Sequence, residues 1–369
     1  MKTKFHLLLF MLILNNLSAQ IKVTIKGKIT DSQYSNHAIE YSVFKKNNAL
    51  DLTKLIDFKT GNFGEFNIIF SLDKPQPLRI VRSDLEGFYS IDFWGDGKIS
   101  IDCQMDEQVT FSGDNQLANN LLSAIKIADN KNYKFLSEYY ADGEKPTKDK
   151  IYLSKLSKLL QDLKNDYKIN IEKKVPLELD NWIATEIKAF GLVCEARFYD
   201  TLKFGKPNIE MDKELIAFEQ NLYVNTLKTS PESALLSDYF LKYFELCYSH
   251  NSDFNYRSTS NGHLYGKILS NIKVSPENAN MNYHNNDDNE PHRSAIDIFN
   301  SRAIIHWIKE NLADKPKFLE YILVKNCLNL GYSKEVRPEQ ILLLEELKQK
   351  FPNSNGIKQI KAHLKSIKK

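Results

Sequence analysis

The sequence predicts an α+β protein: an N-terminal antiparallel β-sandwich or open barrel over residues 20–113, then an α-helical bundle or short solenoid of helical hairpins over 114–369. Three observations predict it. Apolar residues alternate with a period of two through the first part, the spacing of one buried strand face. No helix-length segment separates those strands, the pattern of a sandwich or barrel. After residue 113 the apolar spacing becomes that of a helix.

The chain opens on MKTKFHLLLFMLILNNLSAQ, with Lys2 and Lys4 ahead of an apolar run from Phe5 to Leu14 and small residues Ser18 and Ala19 behind it. That is the charged, apolar and small-residue order of a secretory signal. The run is about half the ~20 residues a spanning helix needs, so residues 1–19 are expected to be cleaved rather than kept as a transmembrane anchor. No cysteine lies near the cut to carry a lipid. The expectation is an exported protein, periplasmic or secreted, and not a lipoprotein.

From Ile21, the side chains of Ile21, Val23, Ile25 and Ile29 face one way and Lys22, Thr24, Lys26 and Lys28 the other, as in a half-buried antiparallel strand. The alternation returns in AIEYSVF, GEFNIIF, PLRIV, FYSIDFW, KISIDCQM and QVTFSG. In FWGDGKI, Asp96 and Gly97 supply the positive-φ positions of a tight hairpin. GNFGEF, with two glycines, leads into a strand rather than a helix, so it reads as a turn and not as a phosphate cradle. The expected core is Val23, Ile25, Val43, Phe66, Ile68, Ile80, Ile91, Phe93, Ile99 and Ile101, with Cys103 in phase with the last two.

The first helix follows FSGDN, where Asp114 or Asn115 can cap it and Leu117, Leu121, Leu122 and Ile125 share one face. Further helical spacing occupies about 147–173, 179–203, 211–228, 232–248, 295–312, 316–330, 338–350 and 355–368, broken at DGEKP, FGKPN, TSPES and FPNSN. The last of these is basic and amphipathic, with only enough apolar residues for one packing face, so it is expected to dock on its predecessor. The exception is a long polar loop at about 249–294, which has no sustained period.

Chemistry is weighed against this frame. With 50 Lys and Arg against 47 Asp and Glu, a formal charge of +3 gives no global pull toward nucleic acid or anionic membrane, and neither partner is expected. The four cysteines, Cys103, Cys194, Cys247 and Cys327, form no C-x-x-C pair. Cys194 and Cys247 lie in apolar helical runs, where a thiol is inert. His306 reads as a structural helix histidine. His284, Asp287, Asp288, Glu290 and His292 carry ligand-type side chains, but their spacing fits neither a calcium loop nor a helical zinc pair, so they read as solvated. No metal, cofactor or catalytic residue is assigned. Tyr256, Arg257, Tyr265 and Tyr283, with His284, His292 and Arg293, are the candidate binding residues, since aromatics and arginine favour contact surfaces.

The order of a signal segment, a VTIKGKI strand, GEFNIIF after a glycine, IDCQMDEQVTFSGDNQLANNLL and a closing FPNSNGIKQIKAHL helix resembles the N-terminal accessory region of exported TlpA/ResA-type thioredoxin-like proteins. In that family a β domain and helices precede a thioredoxin domain bearing a tryptophan-cysteine-x-x-cysteine motif. The motif has no counterpart in this sequence, so no catalytic residue carries over and dithiol exchange lacks its reagent. The resemblance implies an exported, non-catalytic binding or scaffold protein with an envelope protein partner, such as a thioredoxin-like protein. The alternatives are a metal-assisted hydrolase built on the 249–294 loop, with His263, His284 and His292, and the docking half of a split thiol-disulfide redox system.

Overall fold

The computed structural model describes residues 20–30, 38–48, 52–82, 90–104, 109–141, 146–205, 231–243, 297–298, 301–302, 304–306, 308–310, 312–331, 334 and 336–366. Eight strands come first: β1 (Ile21–Thr30), β2 (Glu40–Lys46), β3 (Leu52–Lys59), β4 (Glu65–Leu72), β5 (Gln76–Arg82), β6 (Ser90–Gly95), β7 (Lys98–Gln104) and β8 (Val109–Gly113). They form two four-stranded sheets in the orders β4-β1-β7-β8 and β3-β2-β5-β6, so the domain is an open sandwich and not a closed barrel. Helices follow: α1 (Gln116–Ala141), α2 (Pro146–Asn170), α3 (Leu177–Gly205), α4 (Pro231–Leu236), α5 (Pro316–Asn329), α6 (Arg337–Lys350) and α7 (Gly356–Ser366). The fold class is α+β, as the periodicity predicts. Contacts divide the chain into two compact units, one of residues 1–47 and 52–190 and the other of residues 48–51 and 191–369.

All ten expected core residues are buried in one cluster between the sheets, joined by Cys103, Tyr41, Phe58, Leu78 and Phe111. Each such side chain withdrawn from water contributes about 1.5–3 kcal/mol before the entropy of ordering is counted. Two glycines set the close approaches within this domain. At Gly27 an added Cβ would lie 1.7 Å from the Ile101 carbonyl oxygen, because β7 runs close beside β1. Gly64 turns the chain from β3 to β4 at φ 83°, with its carbonyl accepting from the Ile29 amide at 3.0 Å.

Four expectations are corrected. β1 is not purely antiparallel: it pairs antiparallel with β4 but parallel with β7, Ile25 opposite Ile99 and Ile29 opposite Cys103. Asp96-Gly97 is not a hairpin, because β6 and β7 belong to different sheets; it is a corner, and only Gly97 takes a positive φ, 62°. Leu117 is exposed, while Leu121, Leu122 and Ile125 are buried. β3, absent from the alternating segments, is an edge strand on which Phe58 alone is buried.

The two sheets differ in cover. β4 alternates buried and exposed residues, as a sheet with one wet face does. β5 and β6 are buried on both faces. The outer side of the second sheet carries Lys46, Arg79, Asp92 and Trp94, and the helices of the first unit lie against it.

In the second unit α7 packs on α5 and α6, as expected for the closing helix. Gly356 permits this, since a Cβ there would meet Val324 Cγ2 at 2.2 Å. The expected helix at 211–228, the end of the one at 232–248 and the loop at 249–294 fall outside the described residues.

Candidate functional site

The candidate binding residues Tyr256, Arg257, Tyr265, Tyr283, His284, His292 and Arg293 lie outside the described residues, as do His263 and Cys247. The polar geometry that is described concentrates elsewhere, along α1 and the strand edges it faces.

Every sandwich has free edges, whose unpaired N–H and C=O groups invite another strand. Here β6 ends one sheet and β8 the other. Two consecutive asparagines on α1 meet both. The Asn119 side chain accepts from the Trp94 amide at 2.7 Å and donates to the Trp94 carbonyl at 3.4 Å. Asn120 repeats the pattern on Phe111, accepting at 2.7 Å and donating at 2.9 Å. Consecutive residues of a helix diverge by about 100° around its axis, which is why neighbours can serve two different sheets. An amide offers one donor side and one acceptor side, so it replaces one residue of a missing strand. Farther along, the Lys126 ammonium donates to the Ser90 carbonyl at 2.6 Å. Seven helical residues span ~10 Å and the four from Ser90 to Trp94 span ~13 Å, so α1 tracks the edge of β6.

Behind this edge is a buried charged layer. Arg79 and Asp92 are cross-strand partners. Arg79 grips the carboxylate with two bonds, Nε to Oδ1 at 2.5 Å and Nη2 to Oδ2 at 2.6 Å. Lys46, whose side chain is 0% exposed, donates to Oδ2 at 2.8 Å. Its ammonium also lies 5.4 Å from the centroid of the Trp182 ring on α3, a cation–π contact. Trp182 in turn donates through Nε1 to Glu186 at 3.1 Å. Burial opposes the charge on Asp92, but Lys46, Arg79 and Lys126 outweigh it and hold the carboxyl well below the usual range. The layer therefore stays ionised and fastens the helices to the sheet. Lys46 is sealed from water within it, while Arg79 keeps a small exposed fraction.

A second lock joins α2 to α3. The Tyr167 hydroxyl donates to Asp180 at 2.6 Å across a turn in which Lys173 takes φ 59°. Burial and the Asp180 carboxylate push the Tyr167 hydroxyl up from its ordinary value.

In the second unit Gln340 Nε2 donates to the carbonyls of Cys327 at 3.0 Å and Gly331 at 2.9 Å, closing the end of α5, and lies 3.2 Å from His363 Nε2. Arg302 holds the buried Glu339 with two bonds of 3.0 and 2.6 Å. Burial, with Glu339 nearby, pushes the Cys327 thiol up to about 12, which leaves it protonated and unreactive at neutral pH. Burial draws Lys325 down to about 8. Its folded value lies below its unfolded one, so the charged form costs stability at neutral pH and the cost fades as pH rises from 8 toward 10.5. Lys325→Met is expected to stabilise by about 1–2 kcal/mol at pH 7, after discounting for water at the side chain, and by less at pH 10. Thermal melts at the two pH values check it.

Among the described residues no group of three His, Cys, Asp or Glu side chains gathers around a metal-sized space, and no helix is long and apolar enough to cross a membrane. Period two places Lys46, Arg79 and Asp92 on the polar face, so alternation alone reads them as solvated. The available signal was Trp94, which shares that face: a large aromatic there marks a covered sheet.

The class these features define is a β-sandwich, closed along one side by a helix, within an α+β chain. Compared with models of known protein families and with curated proteins, the chain matches none.

Proposed function

We propose that the protein is an exported, non-catalytic binding or scaffold protein, built like the accessory region of TlpA/ResA-type proteins. One observation supports the reading: residues of three of the resembling motifs, all in the first unit, help hold the sandwich together. Gly27 of VTIKGKI admits β7, Gly64 of GEFNIIF turns the chain between the sheets, and Asn119 and Asn120 of LANN hold the two edges. The likeness is thus one of platform, and a platform acts through its surface.

The test is capture from an envelope extract on the immobilised protein. A defined protein partner, recovered in stoichiometric amount, is the expected result. If that partner carries a C-x-x-C motif, the protein is the docking half of a split redox pair. A protein that stays solitary at high concentration contradicts the proposal.

A further inference from the structure

Each sheet of the sandwich has two strand edges, and among the described residues three of the four are guarded. The Asn119 and Asn120 side chains occupy β6 and β8. β3 carries a bulge against β2 between Val43 and Phe44 and exposes the charges of Lys54, Asp57 and Lys59, features that discourage a further strand. β4 shows neither. It pairs with β1 from Glu65 to Leu72 without a shift of register, and between Glu65 and Asp73 it holds no charge and no proline.

The backbone of β4 has a defined outward side. The Gly64 carbonyl accepts from the Ile29 amide on β1, while the Glu65 carbonyl turns the other way, to the Gly61 amide. Backbone groups alternate sides along an antiparallel strand, so Phe66, Ile68, Phe70 and Leu72 bond β1, and the N–H and C=O groups of Asn67, Ile69 and Ser71 point away from it. Those outward groups meet no partner among the described residues. Ile69 is 51% exposed and is the one large apolar side chain exposed on any strand among the described residues. Phe70, on the core face beside it, is only half-buried.

We propose that β4 is the seam of a homodimer, pairing antiparallel with β4 of a second copy about a two-fold axis at Ile69. The side-chain pattern selects that occupant and that register. On the outer face the axis sets Ile69 against Ile69 of the second copy and Asn67 against its Ser71, so apolar meets apolar and polar meets polar. On the core face Ile68 meets Phe70, which covers the half-exposed ring, and Phe66 meets Leu72. Ile69, Asn67 and Ser71 thereby form bonded pairs, each exchanging two backbone hydrogen bonds. Moving the axis by one residue sets Ile69 against Asn67 or Ser71, and by two against Glu65 or Asp73; a half-residue slip sets core face against wet face. An edge that pairs with itself is isologous, and with the other edges guarded the assembly closes at two copies. The inference goes beyond the binding reading and does not rest on it.

Sedimentation velocity of the purified protein over a dilution series tests it, with a dimer that dissociates on dilution as the expected result. Ser71→Pro removes an outward amide and leaves the bonds to β1 intact, as proline is tolerated on a free edge, so it should weaken association about tenfold or more with a nearly unchanged melting temperature. Ile69→Lys should do the same by setting two cations face to face. The register has its own readout. Bonded pairs lie ~5.5 Å apart at Cα, within disulfide reach, so Ile69→Cys should cross-link two copies on mild oxidation. Asn67→Cys alone should not, and Asn67→Cys/Ser71→Cys should. A parent protein that stays monomeric, association unchanged in Ser71→Pro and Ile69→Lys, or cross-linking of Asn67→Cys but not of Ile69→Cys overturns the proposal. So does a monomer whose capture of an envelope protein is lost in Ser71→Pro, because the edge then takes a foreign strand. A monomer that captures an envelope partner overturns this inference alone, and a dimer that captures none overturns only the binding reading.

Discussion

Asp92→Asn is expected to destabilise the first unit by about 3–5 kcal/mol at neutral pH, the range for breaking a buried ion pair from one side. The substitution keeps the shape of the side chain but removes the charge that both Lys46 and Arg79 face; Lys46 is sealed from water and Arg79 is only 11% exposed. The pH dependence has a definite sign. Asp92 has a folded pKa well below its ordinary 3.8, so its contribution is fully present above that value and is lost as pH falls through the folded pKa. The gap between parent and variant should therefore persist down to about pH 4 and close only in stronger acid. Denaturant melts across pH measure it. Lys46→Met/Arg79→Leu/Asp92→Leu should recover most of the loss, because apolar residues of similar volume commonly replace a buried ion cluster at little cost.

The second large effect is expected at the paired asparagines. Asn119→Ala strips two hydrogen bonds from Trp94 at a fully buried edge and should cost about 2–4 kcal/mol, since an unmet buried donor or acceptor costs about 1–3 kcal/mol. Asn120→Ala should cost about 1–2 kcal/mol, because Asn120 is half-buried and water can reach Phe111 in its place. The double variant should also associate, as both strand edges become available for pairing with another chain. Light scattering across a concentration series detects this.

The sequence carried the strand faces well because one side of the first sheet is wet: Val23, Ile25, Ile99 and Ile101 alternate cleanly with Lys22, Thr24, Lys98 and Ser100. The second sheet was harder to read. It is covered on both sides, so Arg79 and Asp92 occupy positions that alternation assigns to solvent, and only packing against α1 and α3 shows them as buried. Sheet membership was not legible either. Asp96-Gly97 has hairpin chemistry, yet the strands it joins separate into different sheets, a choice made by long-range pairing of β7 with β1. The candidate binding residues of the 249–294 loop had only a compositional signal, and the described geometry does not reach them. The asparagine pair was visible as LANN, but a sequence cannot reveal that adjacent amides serve two separate strand edges.

Amide hydrogen exchange at Trp94 and Phe111 is the most direct measurement of whether those motif residues are structural. In the parent protein both amides should be protected to the level of strand interiors, although each lies on an outer edge. Asn119→Ala should release Trp94 first, and Asn120→Ala should release Phe111 first. Fast exchange of both amides in the parent protein, or protection unchanged in the two variants, would contradict the account.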